Sequence, residues 1–409
     1  MDEYTHLLQL ILDVGVELIQ SGAETHRVED SLYRLCSSYG FTNCNIWVIP
    51  SNIQATVTTP VGNCTTQIRH IRQSGIDFAK LEDLNALSRR LCEEKPSPEL
   101  FSTELLTVTH AGSAGKWTRI LAGVLAGGGF GIFFNCDWLD AIAAACTSII
   151  ATILCCEVGK RERNPLIANF LIAFCSEVFI IFAVKIGLGH HVGYIAAGVV
   201  MLLISALGTT NGIRDLMRLD TLSGIMNISL SLTGAIGIAA GIILPLRLFL
   251  HEGVNEIMIL NPNVGIELIA CTVGCVGFSL WFHVKKRHIF WCALGAFLTW
   301  GAYSICCHFT ANSFWSTLFG AVACGFYAQI MARVNRAPAT IFQTVAIFPM
   351  IPGAALYYSV YGLVMGDFAF AASKGLSLLL SCFGIVIGFL FVAVASRFIW
   401  PTSNVPQTR

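Results

Sequence analysis

From Lys116 onward the chain consists of successive runs of about twenty apolar residues, and no other feature limits its possible folds so strongly. As a helix, each run is long enough to cross a hydrocarbon core roughly 30 Å thick. Ten such runs are read, at residues 118–136, 138–158, 165–186, 191–212, 221–248, 263–284, 289–307, 313–332, 339–364 and 371–399. With 55% hydrophobic and only 12% charged residues, the composition points to a polytopic α-helical membrane protein rather than a soluble globular fold.

The basic residues give the runs a direction. Lys116 and Arg119, then Lys160, Arg161 and Arg163, then Arg214 and Arg218, then Lys285, Lys286 and Arg287, then Arg333 and Arg336, and finally Arg397 fall at alternate connections. By the positive-inside rule those ends face the cytoplasm, and only Lys185, Arg247 and Lys374 lie near the other side. Five spans precede residues 251–262 and five follow. An odd number per half makes the second half enter the membrane in the opposite sense, so a 5+5 inverted repeat with interrupted helices is expected. The expected parts are a cytoplasmic domain at 1–111, a first transmembrane half at 112–250, an extracytoplasmic connector at 251–262, a second half at 263–400 and a cytoplasmic tail at 401–409.

Two of the runs are interrupted at corresponding places. One contains Ser205-Ala206-Leu207-Gly208-Thr209-Thr210-Asn211-Gly212 and continues to Asp220; the other contains Pro349-Met350-Ile351-Pro352-Gly353 and continues to Asp367. Ala206 and Gly353 each precede their acidic residue by 14 positions (220 − 206 and 367 − 353). Backbone leaves its helical ladder inside a membrane only where protein or a watery cavity replaces the lost hydrogen bonds. Paired breaks in two halves therefore point to a transport site between repeats.

The first 110 residues differ in kind, with 8 Lys and Arg against 14 Asp and Glu; the remainder carries 17 against 11. The start, Met1-Asp2-Glu3, is acidic and unlike a signal peptide, so a cytoplasmic domain is expected. Apolar residues recur at helical spacing over 6–18 and 28–35, strand-like alternation covers 45–49, 53–58 and 65–71, and Leu81, Leu84, Leu87 and Leu91 mark a further helix. An α/β domain of this size can hold its own core. The 16 cysteines show no metal-site spacing and read as reduced, small core residues, so no metal or cofactor is expected.

Three sets of residues carry a family resemblance: Gly22-Ala23-Glu24-Thr25-His26-Arg27-Val28-Glu29; Thr210-Asn211-Gly212-Ile213-Arg214-Asp215 with Leu219-Asp220-Thr221-Leu222-Ser223-Gly224; and Ile351-Pro352-Gly353-Ala354-Ala355-Leu356-Tyr357 with Gly366-Asp367. Over essentially its whole length the chain resembles the threonine/serine exporter family. The resemblance implies an inner-membrane secondary exporter with a cytoplasmic N-terminal domain, whose two parts are separate polypeptides in some relatives. Some split relatives look like succinate exporters. In the first half, Ser205-Ala206 stands where the family has Pro-Gly.

Several residues are candidates for the pathway. Asn211, Arg214, Asp215 and Arg218 stand at i, i+3, i+4 and i+7, on one helix face. They form either a polar lining at the cytoplasmic mouth or a solvated helix end with an Asp215–Arg218 pair. After Pro352-Gly353 the face carries Tyr357, Tyr358 and Tyr361, which line a pathway or form an aromatic interface belt; the belt is preferred for the last two. Asp220 and Asp367 each precede a span, as helix caps or as gating or proton-coupling groups. Glu177 sits mid-span, where a charge is costly unless paired or protonated. It is either a proton relay or ammonium partner, or a structural partner of a polar group. Glu267 reads as interfacial and His283 as part of the cytoplasmic rim.

In the N-terminal region Glu24, His26, Arg27 and Glu29 crowd a helix start, either as ion pairs or as an anion, metal or hydrolytic site. The expected function is proton-coupled, alternating-access export of small polar metabolites, threonine and serine first, from the plasma or inner membrane with both termini cytoplasmic. The expected partners are a small-molecule substrate, the bilayer and protons, without nucleic acid; a homo-oligomer is compatible. Two alternatives stay open, a dicarboxylate (succinate) exporter and a membrane-anchored enzyme working in the N-terminal domain, although no enzyme is the primary expectation.

Overall fold

A computed structural model describes residues 3–71, 75–112, 114–162, 164–204, 206–217, 219–249, 263–310 and 312–399. The chain divides into two compact units, the first formed by the first 114 residues together with Phe282–Lys285, the second by the remainder.

The first unit contains α1 (Glu3–Gln20), α2 (Thr25–Ser38), β1 (Thr42–Ile49), β2 (Asn52–Thr58), β3 (Cys64–His70), α3 (Phe78–Glu94) and α4 (Pro98–Thr109). The strands form one antiparallel sheet in the order β1-β2-β3, with Ala55 opposite Ile46 on one side and Gln67 on the other. Alternate residues of β2, Ile53, Ala55 and Val57, are buried, as a strand with one covered face requires. Helix α1 approaches α2 at Gly15, where an added Cβ would meet Leu32 at 2.9 Å. Asp77 starts α3 by accepting from Lys80 N at 3.0 Å. The same carboxylate lies 2.9 Å from His283 Nδ1, and Lys285 Nζ lies 2.6 Å from Asp83. His283, expected on the cytoplasmic rim, takes part in this unit's hydrogen bonding.

The second unit is helical: α5 (Lys116–Phe133), α6 (Trp138–Arg161), α7 (Pro165–Lys185), α8 (Val192–Val200), α9 (Ala206–Met217), α10 (Thr221–Phe249), α11 (Val264–Trp281), α12 (Lys286–Thr310), α13 (Ser313–Asn335), α14 (Ala339–Ile347), α15 (Gly353–Met365) and α16 (Phe368–Ile399). Among the described residues seven helices are long and apolar enough to cross a membrane, or eight with α14 and α15 taken as one bent span. This makes the chain a polytopic helical membrane protein. The ten spans expected from sequence differ in two places: α5 opens on Lys116 and Arg119 and is glycine-rich, and the expected span at 191–212 is divided into α8 and α9. The expected connector at 251–262 and tail at 401–409 lie outside the described residues.

Large apolar side chains such as Leu230, Leu244 and Phe391 are exposed on the second unit, as lipid contact requires. Because lipid tails are as apolar as leucine, helices associate through close packing, which small residues allow. At the α5–α11 crossing a Cβ on Gly129 would lie 2.6 Å from Gly274 N. The pairings recur in the two halves: α7 packs on α10 as α13 packs on α16, and α9 on α10 as α15 on α16. Helix α15 also meets α10, and α9 meets α16.

Both interruptions are present, one of them displaced. Helix α14 passes into a 3₁₀ turn at Phe348–Met350, and α15 starts at Gly353 after a bend of 51°. Pro349 and Pro352 lack the N–H groups needed to continue the ladder. In the first half the chain turns at Met201–Ile204, where Leu202 N and Leu203 N bond back to Val199 O and Val200 O. Ala206 to Gly212, expected to be the break, are helical, and Ser205 lies outside the described residues. Gly212 serves packing instead: a Cβ there would lie 2.8 Å from Gly224 O on α10.

Candidate functional site

The two turns contribute to the wall of one cavity of about 260 Å³. Met201 comes from the first turn and Pro349 to Pro352 from the second. Lys374, Ser377 and Ser381 of α16 line the same space, at the i, i+3, i+7 spacing that places them on one helix face. Thr317 of α13 adds a hydroxyl, and Trp300 and Tyr303 of α12 add aromatic surface. The two rings are stacked with centroids 4.6 Å apart. Glu267 Oε2 accepts from Trp300 Nε1 at 3.2 Å and fixes the indole.

Lys374 is the single charged residue among the described residues of that wall. Its Nζ lies 5.4 Å from the Phe370 ring centroid and 5.8 Å from that of Tyr358. Ring faces attract a cation without neutralising it. A small anionic or zwitterionic solute therefore meets one positive charge, several hydroxyls and a firm aromatic wall.

Glu177 stands in the middle of α7 with 1% of its surface exposed, and its Oε1 has no hydrogen-bond partner among the described residues. It borders a second cavity of about 20 Å³ with Val200, Leu246, Tyr357, Tyr358 and Tyr361. That is room for about one water molecule. Tyr358 lines both cavities, while Val200 and Met201, neighbours in sequence, line one each. An unpaired mid-span carboxyl beside a water-sized space is suited to holding or passing a proton.

The sequence-derived candidates divide accordingly. Pro352 lines the larger cavity, Gly353 starts α15 beside it, and Glu177 and Tyr357 meet at the smaller one. Tyr358 and Tyr361, preferred as an interface belt, line the smaller cavity instead; Tyr358 is only 9% exposed because α15 packs on α10 and α16. Asn211 and Asp215 lie on α9 and border neither cavity; Asp215 Oδ2 accepts from Asn227 Nδ2 at 3.1 Å. Arg214 is on the same helix, and Arg218 is outside the described residues. Asp220 N donates to Asp215 O, and its carbonyl accepts from Gly224 N. Asp367 accepts from Phe370 N at 3.0 Å and caps α16. Glu267, expected at an interface, is buried against Trp300.

In the first unit, Glu29 Oε1 accepts from Val48 N at 2.9 Å and ties α2 to β1. Glu24 lies 3.5 Å from His26 and 4.0 Å from Arg27. Glu24, His26 and Arg27 thus form a charged network at the start of α2.

A polar cluster not anticipated from sequence joins α6 to the turn before α8. Asp137, Asp140 and His190 bring three possible metal-ligand atoms within 4.8 Å of one another. All four carboxylate oxygens are already engaged. Asp137 accepts from Asp140 N and meets His190 Nδ1 at 3.0 Å, while Asp140 accepts from His190 N and His191 N and meets His191 Nδ1 at 2.8 Å. The N–H of Asp140 holds the Asp137 carboxyl below its usual range, with a smaller contribution from His190. The arrangement is a hydrogen-bonded clamp on the loop.

Sequence reading missed the α16 face. Its signal was a lysine followed by serines at three and seven positions inside an apolar run.

Residues 9–249 match the family described as "Putative threonine/serine exporter", and residues 267–395 match that described as "Threonine/Serine exporter, ThrE". A "Probable threonine/serine exporter" of Mycobacterium tuberculosis is 21% identical over 383 residues, covering 88% of this chain and 70% of the relative. A "Threonine/serine exporter" of Corynebacterium glutamicum is 20% identical over 370 residues, covering 87% and 75%. No solved structure matches.

Proposed function

Because this chain belongs to the threonine/serine exporter family, we propose that it exports small polar metabolites, threonine and serine first, by alternating access coupled to the proton gradient. The observation that carries the reading is one cavity walled by residues of both helix interruptions. Broken helices supply unpaired backbone ends and points of bending, so a site between two of them can open to each side in turn.

The recurring pairings, α7 with α10 and α13 with α16, support an inverted repeat as the source of that alternation. The alternating basic connections support cytoplasmic placement of both termini and of the N-terminal domain in a plasma or inner membrane. Glu177 is the proposed proton carrier, close to the substrate cavity but separate from it, with Tyr358 common to both walls. Asn211, Arg214, Asp215 and Asp220 take the role of the cytoplasmic approach. The engaged state of Glu29 and Glu24 favours transport over an enzymatic role for the first unit.

Reconstituted protein should exchange labelled threonine and serine in counterflow, and an imposed pH gradient should drive their accumulation. Counterflow of succinate alone would select the dicarboxylate reading. Gradient-insensitive accumulation would remove proton coupling.

A further inference from the structure

We propose that Lys374 is the anchor for the substrate's carboxylate, and that its isolation makes the cavity selective for one carboxylate rather than two. The assignment rests on the amino-acid-exporter reading and deepens it. A lysine in a membrane-spanning helix is normally paired or snorkels to the interface. Lys374, in the second turn of α16, is half-buried and lines the 260 Å³ cavity, and among the described residues no carboxylate pairs with it. Phe370 and Tyr358 hold the ammonium through their ring faces, which leaves its N–H donors available to a solute.

The rest of the wall fits a hydroxy amino acid. Ser377 and Ser381 place hydroxyls on the same α16 face as Lys374, lining the same cavity. An α-ammonium is served by the Trp300 and Tyr303 rings, since Trp300 is held in place through its N–H bond to Glu267. A dicarboxylate would bring a second negative charge, and the described wall contains no second cation to meet it. Burying that unpaired charge disfavours succinate.

The test uses the full-length protein in liposomes, measuring counterflow without any gradient. L-Threonine is compared with L-threonine amide, in which the carboxylate is replaced by a neutral group, and with succinate. The wild type should prefer threonine to the amide. Lys374→Gln should raise the half-saturation concentration for threonine by about 10- to 100-fold, the range expected for a lost charge-assisted hydrogen bond, and leave that for the amide within about twofold. Lys374→Arg should recover some of the preference. A threonine-to-amide ratio unchanged in Lys374→Gln overturns the assignment alone; a wild type that carries no amino acid overturns the exporter reading and the assignment with it.

A measurement on the wild type covers poor folding of the variant. Followed by mass spectrometry, threonine should slow modification of Lys374 by an amine-selective reagent relative to the exposed Lys95 in the same sample, and the amide should not. The Lys95 reference corrects for reagent consumed by the solute's own amine. Equal protection by both compounds also overturns the proposal.

Discussion

Trp300 Nε1 donates to Glu267 Oε2 across 3.2 Å, and both residues are buried, so a carboxylate of α11 sets the orientation of an aromatic wall contributed by α12. The bond explains how an acidic residue is retained inside the helical unit. It also makes Glu267 a positioning residue for the larger cavity, which Trp300 lines.

Glu267→Ala leaves the indole N–H buried without this acceptor, at a cost of about 1–3 kcal/mol. Thermal unfolding in detergent should move down accordingly, and the half-saturation concentration for threonine should rise more than the maximal rate falls. Glu267→Gln, which keeps an acceptor, should recover most of both. If Glu267→Gln behaves like Glu267→Ala, the hydrogen bond is not what holds Trp300.

Glu177→Gln keeps the shape of the small cavity and removes the titrating proton. Counterflow of threonine should persist, whereas accumulation driven by a pH gradient should fall to the level seen without one. Gradient-driven accumulation at the wild-type rate would strike Glu177 from the coupling mechanism.

Asp367 is an N-cap whose Oδ1 accepts from Phe370 N. Asp367→Ala should cost about 1 kcal/mol of stability. The response to a pH gradient should be retained, which separates capping from coupling; loss of that response with stability intact would reverse the assignment.

Gly129 faces the backbone of α11 so closely that a Cβ would lie 2.6 Å from Gly274 N. Gly129→Ala therefore has to push α5 and α11 apart and should destabilise by about 1–3 kcal/mol. An unaltered melting temperature would mean that the α5–α11 crossing relaxes without strain.

The Asp137 carboxyl is held below its usual range by the Asp140 N–H and, secondarily, by His190. A carboxylate with a depressed folded-state pKa stabilises the fold above its unfolded pKa of about 3.9, and this is lost as pH falls through the lower folded value. Asp137→Asn should therefore flatten the acid limb of the melting curve below about pH 4 and change little near neutrality. An identical acid limb in the variant would show that the clamp is not linked to this titration.

The sequence by itself determined the elements whose cause is local. Runs of apolar residues specify membrane helices because the bilayer tolerates little else, and Pro349 and Pro352 together withdraw two N–H groups from one short stretch of ladder. The first interruption is legible only approximately: the small residues suggest a break, yet Gly212 packs against α10 inside a helix and the turn lies at Met201–Ile204. Small residues permit either outcome, and packing chooses between them. Glu177 stood out in the sequence because a mid-span carboxyl is costly anywhere.

Only the tertiary structure decided which distant side chains share a space. Met201, Trp300, Thr317, Pro352 and Lys374 come from separate helices and turns, and their convergence depends on crossing geometry that no local pattern encodes. The same packing turned Tyr358 inward from an expected belt, and Asp367 accepts from Phe370 N at the start of α16. Local chemistry marks a residue as expensive or stiff; the partners that make it useful are set by helices packed at close range.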